Sequence, residues 1–230
     1  MSSVVKAKGN MYSWVTHIWS PGKGCSHQCT YCYARQSAQR FGRDFPDKFI
    51  LDPCFPNLGQ DKAIFVGHMC DMWAKDVADE DIYKVLEHCG RHRLNEYIFQ
   101  SKNPASFLNY SELGHLQTTL GTTIETNRQT ILDEVSKAPP VSERATALKE
   151  LRGCVWKRFV TIEPIMDFDV TELWELIVFA SPDFVNIGAD SKKQRLPEPS
   201  AEKITALLEC LRESKIEVRE KHNLERLMKP

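Results

Sequence analysis

Cys25, Cys29 and Cys32 stand on one short stretch in a C-x3-C-x2-C spacing. Gly22 and Gly24 just before them give a loop able to wrap closely around a bound group. Three thiolates so placed suit a metal centre, because iron–sulfur clusters are held by cysteine thiolates. A structural zinc site usually takes four ligands and closes. Three ligands on a [4Fe–4S] cubane leave one iron open, which a cluster needs if it is to bind a substrate rather than only pass electrons. The alternative is zinc, with His27 or a distant residue as fourth ligand. His27 lies between two of the cysteines, a short link that strains tetrahedral closure, so spacing favours iron–sulfur and leaves zinc open. The other cysteines, Cys54, Cys70, Cys89, Cys154 and Cys210, are scattered. In a chain without an export signal they do not read as a disulfide framework, and such cysteines are usually small buried hydrophobes.

Other chemistry-bearing residues recur at one kind of place. Short runs rich in β-branched and aromatic residues read as strands: Ser13–Trp19, Ala63–Val66, Tyr97–Gln100, Thr118–Ile124, Arg158–Ile162 and Phe184–Ile187, with Ile216–Val218 as a short closing strand. Amphipathic stretches alternate with them. Tyr33 to Phe41 is helix-like, and Ile82, Val85, Leu86 and Cys89 share one helical face. Val141, Ala145, Leu148 and Leu151 share another, as do Val170, Leu173, Trp174 and Ile177, then Ile204, Leu207, Leu208 and Leu211. Asn103-Pro104 reads as an N-cap followed by proline at the first helical position.

Six β–α units in series predict an α/β fold, a parallel sheet with outer helices. Right-handed crossovers curl it into a partial (β/α)6 TIM-like barrel. The active site of such a barrel lies at the C-terminal ends of its strands. The cysteine loop follows the first strand, Asp71 the second, Lys102 the third, Glu125 the fourth and Glu163 the fifth. Segments 51–61 and 189–199 are rich in proline, glycine or charge and read as loops rather than boundaries. Residues 1–230 therefore read as one domain, with a core at about 13–220.

Hydrophobic residues make up 42% of the chain and charged ones 27%, the profile of a globular protein rather than a disordered one. No apolar run is long enough to span a membrane. The first residues lack the apolar stretch of a secretory signal, so a cytoplasmic protein is the expectation. Formal net charge is −1, which does not announce a nucleic-acid binder. Residues 1–50 nevertheless carry seven Lys/Arg against Asp44 and Asp47, in the stretch that holds the cysteines. A positive rim around the site and an ordinary solvated surface both fit that pattern.

The cysteine spacing followed by an aromatic residue resembles the signature of the radical S-adenosylmethionine (SAM) superfamily. Cys29-Thr30-Tyr31-Cys32-Tyr33 looks like the motif of its DNA-repair branch, the spore photoproduct lyases. Gly67-His68-Met69-Cys70-Asp71, Ser101-Lys102-Asn103-Pro104, Thr123-Ile124-Glu125-Thr126 and Thr161-Ile162-Glu163-Pro164 are more similar to a related phage and bacterial family of three-cysteine radical SAM proteins with unassigned substrates. The likeness runs over roughly residues 13–220, its motifs in the same order.

The resemblance implies cofactors and roles. Cys25, Cys29 and Cys32 would ligate a [4Fe–4S] cluster whose open iron chelates SAM. Reductive cleavage of SAM would yield a 5′-deoxyadenosyl radical that takes hydrogen from a substrate, with an external electron donor of flavodoxin or ferredoxin type. Tyr31 and Tyr33 would pack adenine or line the radical path. Lys102 would pair with the SAM carboxylate, and Asp71 would accept from its amino group. Thr123 and Glu125 would hold ribose hydroxyls, Arg144 would support Glu125 or the carboxylate, and Glu163 would serve SAM or substrate. Cys70 is a candidate hydrogen-atom donor. The substrate is expected to be a nucleobase, nucleotide or nucleic acid. A small molecule or peptide, and a non-catalytic zinc or iron–sulfur protein, are the alternatives.

Overall fold

The computed structural model describes residues 3–192 and 194–229; Met1, Ser2, Lys193 and Pro230, which the one-domain reading of 1–230 includes, lie outside the described residues. Ten strands and seven α-helices follow in order. They are β1 (Val5–Lys6), β2 (His17–Trp19), β3 (Gly22–Lys23), α1 (Tyr33–Arg40), β4 (Ile50–Leu51), β5 (Ala63–Val66), α2 (Asp79–Arg91), β6 (Glu96–Ser101) and β7 (Gln117–Thr123). Then come α3 (Gln129–Val135), α4 (Val141–Glu150), β8 (Lys157–Ile162), α5 (Val170–Ala180), β9 (Phe184–Ile187), α6 (Ala201–Glu213), β10 (Glu217–Glu220) and α7 (Glu225–Met228). Eight strands form one sheet in the order β1-β2-β5-β6-β7-β8-β9-β10. Within it all pairings are parallel except β1 on β2, which is antiparallel, while β3 and β4 pair antiparallel as a separate two-stranded sheet. The order runs straight through the chain, so the sheet is the expected open, partial barrel with helices outside.

Alternation along the strands sorts the side chains into two layers. Ile64, Val66, Tyr97, Phe99, Leu120, Val160, Ile162, Val185 and Ile187 pack outward in one core with the apolar faces of α2, α4, α5 and α6. Phe65, Ile98, Phe159 and Phe184 face inward. Among the described residues, only α6 has a side-chain N-cap, Ser200 accepting from the Lys203 amide. The others depend on the burial of one face, which usually outweighs local propensity.

Three expectations shift. Only His17–Trp19 of the Ser13–Trp19 strand is extended and paired. The residues before it fold across the inner face of the sheet. Tyr12 and Trp14 stack at 5.5 Å and meet Phe65, Phe159 and Phe184 edge-on or tilted. Their aromatic surface is thus buried by plugging the half-barrel rather than by joining it. After β6 the chain forms 3-10 turns at Pro104–Asn109 and Ser111–His115, not an α-helix. The Asn103 side chain donates to the Trp73 carbonyl (2.8 Å) and so does not cap them. The closing strand lies at Glu217–Glu220, displaced from Ile216–Val218, and pairs with β9.

Gly121 on β7 leaves the space that the Phe159 ring fills: a Cβ there would lie 2.3 Å from it. Gly121→Ala is expected to lower stability by roughly 1–3 kcal/mol through overpacking. The check is the urea midpoint, with the far-ultraviolet dichroism of the folded protein unchanged.

Candidate metal and cofactor site

The loop after β2 is fixed before any ligand arrives. Gly24 has φ +92°, and a Cβ there would lie 2.1 Å from the Lys48 carbonyl oxygen, so only glycine fits. The Cys25 amide donates to the Pro46 carbonyl (3.1 Å), and the Asp71 amide to that of Gly24 (3.3 Å). On its other flank, Lys137 donates to the His27 carbonyl (2.7 Å) and Thr30 to the Val135 carbonyl (2.9 Å). Cys29 Sγ lies 3.1 Å from Ser136 Oγ. Cys32 is the residue before α1.

The surroundings of these sulfurs suit thiolate ligands. The His27 amide donates to Cys25 Sγ (3.4 Å), and the amides of Ala34 and Arg35 at the start of α1 point at Cys32. Amide donors to cluster sulfurs stabilise their charge and tune the cluster. Burial pushes the Cys25 and Cys32 thiols up in the free protein, with Asp71 adding to the effect at Cys25 and the amides opposing it at both. Ligation by iron would displace those protons. The three cysteines named by the spacing share this loop, with amide donors aimed at Cys25 and Cys32.

Asp71 ties this loop to the sheet. One carboxylate oxygen accepts from His27 Nε2 (3.0 Å), Ser101 Oγ (2.8 Å) and the Lys102 amide (3.3 Å); the other accepts from the Trp73 amide (3.0 Å). Burial raises its pKa, but His27 and the other donors outweigh that and hold it below the usual carboxylate range. Its oxygens already accept four bonds from the protein, so its present work is to position. Cys25, His27 and Asp71 also bring their ligand atoms within 4.8 Å of one another.

A second carboxylate is more deeply enclosed. Glu125, fully buried after β7, accepts from Tyr31 Oη (2.6 Å), from Arg144 Nη1 (2.9 Å) and from Lys102 Nζ. Arg144, 1% exposed, also donates to the carbonyls of Thr123 (2.9 Å) and Pro139 (2.6 Å). Burial pushes the Glu125 pKa up, yet Lys102 and Arg144 hold it down at about 2. Lys102 Nζ also sits 5.0 Å over the Tyr31 ring. One carboxylate thus faces two cations, and Arg144 Nη2 is buried without a partner. A ligand that brings a carboxylate would balance this excess, and SAM carries one.

The remaining expected residues lie apart. Thr123 accepts from Gln100 Nε2 (3.0 Å), whose amide oxygen accepts from Tyr12 Oη (2.7 Å). Glu163 belongs to another group, bonded to Lys221 (2.7 Å), Asn223 (2.9 Å) and Asn10 (3.0 Å). Tyr33 is half exposed, its hydroxyl donating to the His68 carbonyl. Cys70 meets Gly24 in an isolated parallel bridge beside the loop. Sequence reasoning missed Tyr12, Gln100 and Thr161, which line the inner face above the aromatic plug. Alternation along β6 and β8 carried that signal for the last two. No sequence signal pointed to Asn10, Lys221 or Asn223.

No protein-family profile and no curated protein matches the chain. Solved structures do. A mutant of spore photoproduct lyase with bound AdoMet and dinucleoside spore photoproduct is 13% identical, with a TM-score of 0.52 over 88% of this chain and 62% of that one. A cysteine-to-alanine mutant of the same enzyme is 11% identical, with a TM-score of 0.58 over 92% of this chain and 78% of that one. A tyrosine-to-phenylalanine mutant gives 0.57 at 11% identity and the same coverage. The chain spans less than two thirds of the length of the first of these. It has the fold of these lyases, and the relation to the radical SAM superfamily read from the cysteine motif agrees with that fold. Among the described residues, no helix is long and apolar enough to cross a membrane.

Removing one partner of a buried charge cluster costs roughly 3–5 kcal/mol. Glu125→Gln is expected to destabilise the metal-free protein by that order at pH 7. The folded pKa of Glu125 lies below its unfolded value, so its contribution is complete above about pH 5 and lost as pH falls toward about 2. Urea midpoints across pH 2.5–7 should therefore fall more steeply for the wild type than for the variant.

Proposed function

We propose that the chain is a radical SAM enzyme, with Cys25, Cys29 and Cys32 holding a [4Fe–4S] cluster beside the Glu125–Lys102–Arg144 group. The observation that carries this reading is a three-cysteine loop with amide donors aimed at Cys25 and Cys32, tied through Tyr31 to a buried group with one cation in excess. When bound, cluster and SAM supply a 5′-deoxyadenosyl radical, and the cofactors do that chemistry. The protein's own residues bind, orient and exclude water. Lys102 and Arg144 are the cations for the SAM carboxylate. Asp71, held by His27 and Ser101, fixes the loop and would accept from the methionine amino group. Thr123 and Glu125 would hold ribose hydroxyls, Tyr31 and Tyr33 would pack adenine or line the radical path, and Glu163 would serve SAM or substrate.

A nucleobase, nucleotide or nucleic acid is the proposed substrate class. Its support is the likeness to lyases solved with dinucleoside spore photoproduct, together with the positive segment around the cysteines. Cys70 is the proposed hydrogen donor. Burial, then the charge of Asp71, pushes its thiol up. It therefore keeps the S–H at neutral pH, the form that gives up a hydrogen atom.

A zinc protein is the second reading, favoured by the Cys25, His27 and Asp71 ligand atoms that lie within 4.8 Å. Zinc would have to compete with the four bonds that Asp71 already accepts.

One experiment separates the two. The protein is purified without oxygen, reconstituted with iron and sulfide, reduced with dithionite and given SAM, and 5′-deoxyadenosine is assayed by chromatography. About four irons per chain and deoxyadenosine formation are expected for the wild type, and neither for Cys29→Ala. Bound zinc with no deoxyadenosine would sink the radical reading. Cys70→Ala should still cleave SAM but change the product of any substrate found. The same product at the same rate removes Cys70 from the mechanism.

A further inference from the structure

Two amide atoms on the inner face of the sheet have no partner. Asn186 lies on β9 two residues after Phe184, so it shares that inward face. It is 2% exposed, and its Nδ2 is buried without a hydrogen-bond partner. Asn223 Oδ1 is the second such atom. It stands beside the same stretch of chain: a Cβ on Gly188, two residues past Asn186, would lie 2.8 Å from it. One of the two atoms is a donor and the other an acceptor. A buried polar atom without a partner costs free energy, so native folds keep few of them.

The groups around these atoms are already engaged. Thr161 on β8 is the register partner of Asn186. Tyr12 Oη gives its proton to Gln100 Oε1 (2.7 Å), so Thr161 Oγ1 donates to Tyr12 (2.8 Å) and its proton is spent. Asn223 Nδ2 donates to Glu163 Oε1 (2.9 Å), the Ala189 carbonyl (2.6 Å) and Ser191 Oγ (2.8 Å), which fixes the way its amide faces. Charge is balanced here, because Glu163 pairs with Lys221 (2.7 Å). The Glu125 group, with its extra cation, suits an anion; this group suits a neutral ligand.

We propose, resting on the radical SAM reading above, that Asn186 and Asn223 read the substrate, and that what they read is a lactam edge: a ring carbonyl beside a ring N–H, as uracil- and guanine-type bases carry. Asn186 Nδ2 donates to the carbonyl oxygen, and the ring N–H donates to Asn223 Oδ1. A ring with an acceptor beside an exocyclic amino group satisfies the same two atoms, but it brings a second N–H that must find an acceptor of its own. A phosphate brings no donor for Asn223, and the cation of this group is already paired with Glu163. Exposed Asn10, whose Nδ2 donates to Glu163 (3.0 Å) and Ser191 (2.9 Å), covers the group and is the side chain that an entering edge displaces.

The test uses the anaerobically reconstituted protein with SAM and without reductant, so that nothing turns over. Binding of uridine and inosine is followed by ligand-observed NMR, beside 3-methyluridine and 1-methylinosine, which lack the ring N–H, and the amino nucleoside cytidine. At least one of uridine and inosine is expected to bind, roughly tenfold or more tightly than its methylated form and than cytidine, since a site built around a hydrogen bond rejects the analogue that lacks it. Asn186→Leu should lose that preference, while its urea midpoint without nucleoside stays at or above that of wild type, because an unpaired donor leaves the core. Binding of neither nucleoside, or equal binding of the methylated form, overturns the proposal, and these two results need no variant that folds. A variant that keeps the preference and unfolds at lower urea marks a structural asparagine and overturns it too. So does a variant that loses SAM instead, which would make Asn186 a cofactor residue. Iron uptake and dithionite-driven deoxyadenosine formation by wild type are measured in parallel. Their failure sinks the radical reading, whereas a missing nucleoside preference with both intact sinks only the base-reading pair.

Discussion

A carboxylate with no exposure to water must be surrounded by donors, and Glu125 meets that demand with side chains from three separate parts of the fold. Tyr31 comes from the cysteine loop, Lys102 from the end of β6 and Arg144 from α4. Each is held elsewhere in turn: Arg144 by the carbonyls of Thr123 and Pro139, and Lys102 by its place next to Ser101, which bonds Asp71. The cost of burying the charge is offset only when all three arrive together. Loop, sheet and helix are thereby brought into one geometry. Because the cations exceed the carboxylate by one, the arrangement is also incomplete in charge, which suits a ligand with a carboxylate.

Asp71 plays the matching part on the other side of the loop. It reaches His27 between two of the cysteines and Ser101 and Lys102 at the end of β6. The loop is thus pinned at His27 by one carboxylate and at Tyr31 by another, with Cys29 between them. The ends of the sheet hold both carboxylates. Strand register therefore fixes where the sulfurs stand, and a slip of one residue would turn Ser101 and Lys102 to opposite faces. The geometry of the cysteine loop is thus set by the barrel rim as much as by the loop itself.

The sequence was most legible where one physical signal dominated. Parallel strands announced themselves by β-branched runs, and the helices by apolar residues at helical spacing. The three cysteines were plain from spacing. Lys102 and Glu125 followed from the rule that chemistry gathers after the strands. Legibility failed where the deciding contact joins distant segments. Trp14 looks like a strand residue, since the same aromatic character serves equally to plug an inner face; only the curvature of the sheet decides between these. Asn103-Pro104 has the residue types of a helix start, but its side chain is drawn to the Trp73 carbonyl. Glu163 followed the same positional rule as Glu125 yet joined a different group, because Lys221 and Asn223 come from beyond β10 and nothing local to Glu163 foretells them.

That separation divides the labour of the mouth. Between the Glu125 and Glu163 groups run Thr123, Gln100, Tyr12 and Thr161, joined by hydrogen bonds of 2.7 to 3.0 Å. All but Tyr12 come from the inner faces of β6, β7 and β8, and Tyr12 comes from the plug. Below them lie the stacked rings of Tyr12 with Trp14 and of Phe159 with Phe184. A ligand entering from the strand ends would thus rest on a polar floor over an apolar base, with cations and cysteines on one side and Glu163, Lys221 and Asn223 on the other. Gly188 keeps the far side compact, since a Cβ there would lie 2.8 Å from Asn223 Oδ1 and 3.0 Å from the Glu163 carboxyl. The floor therefore joins a cationic end, Lys102 and Arg144 about Glu125, to a second end where Glu163 meets Lys221 and Asn223.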